Sequence, residues 1–179
     1  VGERIKVYIL SVEKTSKFPK ILISRRNEGL LRKLFEIEIP EITSGIIEIK
    51  SVAREAGSRA KVAVYSAVPN IDTIGACIGQ KGARIKNIVD ELNGERIDIV
   101  EWKPVVEEFV SAVLSPAVVE SVTILEDGTA RVLVEPSQLS LAIGKNGQNA
   151  RLAARLTGMR VDIKVIDKDK ETLKEGEDE

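Results

Sequence analysis

Two glycine-bracketed tetrapeptides, Gly79-Gln80-Lys81-Gly82 and Gly144-Lys145-Asn146-Gly147, start 65 residues apart in a chain of 179. Glycine takes left-handed backbone without steric cost, so each pair marks a tight corner. One such pair is a weak signal, since 13 glycines in a chain of this length give about one by chance. The surroundings make it strong. Both copies follow an isoleucine, Ile78 or Ile143. Both precede a stretch ending in Leu-x-Gly, Leu92-Asn93-Gly94 and Leu156-Thr157-Gly158, and both continue as x-Arg-[Ile/Val]-Asp-Ile. Self-similarity at this period is too long for a solenoid and fits two small domains in tandem.

The elements around each corner repeat in the same order. In the first block, residues 46–53 and 60–65 read as strands, Asn70 is placed to cap a short helix toward Cys77, and Ile85, Ile88, Val89 and Leu92 make one stripe of an amphipathic helix. Residues 96–100 close the block as a strand. In the second, residues 119–125 and 130–134 form a hairpin turned by Asp127-Gly128. Pro136-Ser137 opens a short helix through Ile143, a longer helix covers 148–156, and a strand covers 160–165. A helix leads each block, near 27–35 and 105–114. The unit is α-β-β-α-α-β, present twice, an α/β (α+β) chain.

A helix beginning at Gly82 or Gly147 offers unpaired N–H groups and a positive dipole end, which suit phosphate. Lys81 and Lys145 can add charge to that clamp, and Arg84, Lys86, Arg151 and Arg155 extend a basic strip. Other phosphate loops fail on spelling. A Walker A loop needs Ser or Thr where Asn146 stands and glycine where Leu139 stands; a dinucleotide fingerprint needs glycine at Cys77 or Ala142.

Composition removes several functions. With no histidine there is no His-based acid–base chemistry, catalytic triad or His-ligated metal, and the lone Cys77 forms no thiolate cluster and reads as an apolar filler. No metal or cofactor site is expected. Six aromatics are too few for a base-stacking sheet, and no apolar run reaches the roughly 20 residues that span a bilayer. The net charge of −1 conceals a gradient: residues 1–33 hold nine basic against three acidic residues, and 167–179 hold seven acidic against three basic. Nucleic-acid binding would therefore depend on local patches. Asp98 and Asp162, at matching sites, read as fixing the strand end or a helix partner, and Trp102 as packing between the domains.

The duplicated loop in α-β-β-α-α-β units resembles tandem type II KH domains. The stretches Val52–Val64, Ile74–Ile85 and Ile97–Trp102 are similar to the first KH domain of the bacterial NusA family of transcription elongation, termination and antitermination factors, and Ser137–Asn149 is similar to its second. Residues 1–24 resemble the last strands of the OB barrel that precedes the KH pair in that family. The implied organisation is 1–24 as the end of an OB domain, 25–102 as the first KH domain, 103–167 as the second, and 168–179 as an acidic, disordered tail. Ala56 stands where the family usually has proline, the barrel segment is too short for five strands, and the polymerase-binding domain is missing, so an internal fragment is expected.

The resemblance implies a cytoplasmic, non-enzymatic, monomeric module that binds single-stranded RNA, the nascent transcript, across one continuous KH surface. It also implies RNA polymerase and other elongation or antitermination factors as partners, with no membrane association. It assigns RNA contact to Gly79, Gln80, Lys81, Gly82, Arg84, Lys86, Gly144, Lys145, Asn146, Gly147, Gln148, Asn149 and Arg151. Base grooves would be lined by Ile78, Ile85 and Ile99 in the first domain and Ile143, Ala150 and Ile163 in the second. Two alternatives stay open: the RNA-binding portion of an RNA-processing nuclease, and a KH-based protein-interaction scaffold.

Overall fold

A computed structural model describes residues 2–166, so the acidic tail expected at 168–179 lies outside the described residues. The chain divides into two compact units between Trp102 and Lys103.

The first unit opens with an antiparallel pair, β1 (Tyr8–Glu13) and β2 (Lys20–Ser24). No barrel closes around it among the described residues, and Ile9, Val12, Ile21, Leu22 and Ile23 remain exposed. Helix α1 (Glu28–Glu38) follows because Asn27 caps it, its Oδ1 accepting from the Gly29 N–H at 2.7 Å. Its stripe of Leu30, Leu31, Leu34 and Phe35 is buried. A short helix α2 (Pro40–Thr43), unannounced by periodicity, starts on a proline whose missing N–H costs nothing at that position.

Strands β3 (Glu48–Glu55), β4 (Arg59–Tyr65) and β5 (Arg96–Glu101) form a sheet in that order, β3 antiparallel and β5 parallel to β4. A parallel pair needs a crossover, and α3 (Thr73–Ile78) and α4 (Ala83–Glu91) supply it. Ala60, Val62 and Val64 of β4 meet Leu31, Phe35, Ile39, Ile47 and Ile88 in the core. Full burial of each large side chain contributes about 2–3 kcal/mol. Asp72, not Asn70, caps α3, its Oδ1 accepting from the Gly75 N–H at 2.8 Å. Asn70 instead sits at φ 62°, in the turn before it, because asparagine tolerates left-handed backbone.

The second unit repeats the order: α5 (Val106–Val113), β6 (Ser121–Ile124), β7 (Ala130–Val134), α6 (Leu139–Ile143), α7 (Gln148–Thr157) and β8 (Val161–Val165). Its sheet runs β6-β7-β8, with β7 and β8 parallel. Val110, Val113, Leu114, Val132, Val134, Leu152 and Leu156 are buried. In both units the two crossover helices meet at a glycine corner. Among the described residues no helix is long and apolar enough to cross a membrane.

Candidate nucleic-acid interface

The two corners have the same backbone. Gly79 stands at φ 77°, ψ 171° and Gly144 at φ 73°, ψ 170°, a region that only glycine occupies readily. The next residue starts a tight turn, closed by the Gly82 N–H on the Gly79 carbonyl (3.0 Å) and by Gly147 on Gly144 (3.1 Å). Lys81 (φ 52°) and Asn146 (φ 53°) are left-handed, as are the final glycines, Gly82 (φ 75°) and Gly147 (φ 72°). Those glycines are the N-caps of α4 and α7, and neither helix has a side-chain cap. The first N–H of each helix, that of Ala83 or Gln148, closes onto the Gln80 or Lys145 carbonyl, so what each helix turns toward an anion is its positive dipole end. Lysine in the left-handed region costs about 1 kcal/mol, strain of the kind stored at functional sites.

Side chains around each corner divide into free and committed groups. Gln80, Lys81 and Lys86, and Lys145 and Asn146, are exposed. Ile78 and Ile143, the last residues of α3 and α6, are each 38% exposed beside their corners, a large apolar surface for residues otherwise flanked by core. Arg84 is committed: its Nη1 donates to Glu41 Oε2 at 2.8 Å and to the Ala76 carbonyl at 2.7 Å, and its stem lies over Gly79. It braces the corner against α2 with its charge largely neutralised. Arg151 is exposed and donates from Nη1 to the Asn146 carbonyl at 3.0 Å, so it supports its own corner while facing solvent.

Asn149 is the clear correction. It is 1% exposed, and its Nδ2 donates to the carbonyls of Leu114, Leu141 and Ala142 at 3.0, 3.2 and 3.1 Å. It ties the ends of α5 and α6 together and has no donor left to offer a base. Its backbone also explains Gly144: a Cβ there would come within 2.8 Å of the Asn149 amide nitrogen. Ile85 and Ile99 pack against the first unit's core and turn only part of their surface outward. Gln148, Ala150 and Ile163 are half-buried.

One structural pair escaped sequence reading because its two partners lie 41 residues apart along the chain. Arg54 and Glu95, 4% and 1% exposed, form a buried pair with Nε–Oε1 at 2.7 Å, and the Gly57 N–H also reaches Glu95 at 2.9 Å. Asp98 binds Arg59 and the buried Lys61, while Asp162 pairs with Arg131 and Lys164 in the more open second unit. Trp102 stands edge-on to Tyr65 at 5.3 Å, with Lys50 over the Tyr65 ring at 4.9 Å. Cys77 is buried, and that burial pushes its thiol up to about 12.

Comparison with known proteins places two family models on the chain. Residues 25–102 match the model of the NusA-like first KH domain, and residues 106–171 match the NusA-like second KH domain. The chain is 56% identical over 164 residues to the transcription termination/antitermination protein NusA of Halalkalibacterium halodurans, covering 91% of this chain and 43% of that protein. It is 56% identical over 163 residues to the NusA of Bacillus subtilis (90% and 44%) and 52% identical over 158 residues to that of Thermus thermophilus (88% and 41%). It thus spans less than half the length of these relatives. Among solved structures, the crystal structure of APE1850 matches with a TM-score of 0.53 at 25% identity, covering 75% of this chain and 96% of that one.

Proposed function

The chain belongs to the NusA family, with its first and second KH domains in order, and from that premise we propose that each glycine corner clamps the backbone of a single-stranded RNA. The observation that carries this reading is the matched pair of left-handed corners, each opening an uncapped helix and each carrying a free lysine. The bracketing glycines, which lack Cβ atoms, let the sugar-phosphate chain approach, the positive end of the helix dipole attracts phosphate, and Lys81 or Lys145 adds a cation. A KH loop of this kind spans about four nucleotides. Bases then lie over Ile78 in the first unit and Ile143 in the second, and specificity rests on hydrogen bonds since the corners carry no aromatic ring.

The module acts in transcription, as the names of its relatives indicate, by holding the nascent transcript in the cytoplasm near RNA polymerase and so biasing pausing, termination and antitermination. No step requires catalysis; the chain works as a non-enzymatic, monomeric binder. The test replaces Gln80 and Lys81 with aspartate in one corner, Lys145 and Asn146 in the other, and both together, then titrates labelled single-stranded RNA at fixed salt. Each pair should weaken binding about tenfold or more, and the combined variant should nearly abolish it. Unchanged affinity in the combined variant, with the fold intact by circular dichroism, would refute the reading. Turnover of the RNA on adding divalent metal and phosphate would favour the nuclease alternative.

A further inference from the structure

The two KH units, alike at their corners, differ at the edges of their sheets. In the first unit the edge strand β3 borders a groove of about 510 Å³ rimmed by Arg32, Glu36 and Glu48. Every rim charge there is engaged. Arg32 donates to the Ile49 carbonyl at 3.3 Å, Glu36 pairs with Lys33, and Glu48 pairs with Lys50. α2 fills one end through Ile42 and Thr43.

The second unit has a groove of about 400 Å³ in the corresponding place, between α5 and the edge strand β6, with no counterpart of α2. Its walls are Ala112 and Ser111 from the helix and Val119 and Val122 from the strand side, and its rim is Glu107, Glu108 and Glu120. These three carboxylates are exposed and form no ion pair among the described residues. Counting back from the helix C-caps, Ile39 and Leu114, Glu107 holds the seventh position that Arg32 holds in the first unit. The cation that closes one edge is replaced by an anion that leaves the other open. An edge strand keeps half of its N–H and C=O groups unpaired, so β6 can accept another strand.

We propose that this groove docks an extended, lysine- or arginine-bearing segment of another protein, which adds as a strand to β6 and seats its apolar side chains on Ala112, Val119 and Val122. Charge selects the occupant: three unpaired carboxylates attract basic side chains and repel the phosphates of RNA. The groove is distinct from the glycine corners and does not depend on their function.

The probe is a fluorescein-labelled eight-residue peptide alternating lysine and valine, titrated into the whole chain and followed by anisotropy and by amide shifts of the 15N-labelled protein. Shifts should concentrate at residues 119–124 and spare 79–82 and 144–147. The variant Glu107→Lys, Glu108→Lys, Glu120→Lys should lose affinity about tenfold or more and gain it for the counterpart peptide alternating glutamate and valine. Three results would overturn the proposal: no binding, equal binding by the charge-reversed protein, or displacement of the peptide by single-stranded RNA.

Discussion

Lys81 and Asn146 hold the same left-handed position in two copies of one corner, and only asparagine is suited to it. Lys81→Asn should therefore raise stability by about 0.5 kcal/mol in urea denaturation while weakening RNA binding a few-fold, the signature of a residue kept for its charge. The leading glycines separate along another line. At Gly144 an added Cβ meets the backbone of Asn149, whereas at Gly79 it meets only side-chain atoms of Arg84, the nearest at 2.7 Å, which can shift at the expense of the bonds to Glu41 and Ala76. Gly144→Ala should cost about 3 kcal/mol and Gly79→Ala about 2, measured under the same conditions. That the corners need glycine could be read from spelling alone. That Asn149 is a buried tie could not, because its acceptors Leu141 and Leu114 lie eight and 35 residues away.

At the scale of elements, the repeated aspartates show how one sequence position takes two environments. Asp98 lies 3.0 Å from the fully buried Lys61, whereas Asp162 meets only half-exposed partners at 3.4 and 3.8 Å. Asp98→Asn takes the carboxylate away from a buried cation and should cost about 2 kcal/mol, at the low end for such pairs because Asp98 keeps 25% of its side chain exposed. Asp162→Asn should cost about 0.5 kcal/mol or less, and thermal denaturation of the two variants compares them directly. A second element-level contact ties the N-terminal ribbon to α4. Glu91 accepts from the Lys6 N–H at 3.3 Å and from Arg25 Nη1 at 3.1 Å. Partial burial pushes its carboxyl up, but the hydrogen bonds and charge of Arg25 and Lys6 outweigh this and hold it below the ordinary glutamate range. A carboxyl depressed in the folded state stabilises above its unfolded value and loses that contribution as pH falls through the folded one. The Lys6 amide should thus gain exchange and shift between about pH 5 and pH 3, and Glu91→Gln should remove that transition. The helices and strands themselves follow from hydrophobic periodicity; α2 and the Asp72 cap do not, since a four-residue helix has no period and two nearby residues could each have capped α3.

Across the whole molecule, two corners with one free lysine each imply few phosphate contacts, and a plot of log affinity against log salt should have a slope near −1.5. A steeper slope, measured by titration at several salt concentrations, would point to a broader basic surface than the corners supply. The sequence by itself determined the duplicated α-β-β-α-α-β order, the glycine corners and the family, because these depend on local dihedral freedom and on periodicities of two and 3.6 residues. Tertiary structure alone decided which polar side chains are spent on the fold: Asn149 tying two helices, Arg84 bound to Glu41, Glu95 buried on Arg54, and Arg32 closing an edge that Glu107 leaves open. The reason is that a hydrogen bond or ion pair is made between neighbours in space, and folding brings together partners whose separation along the chain carries no repeating pattern.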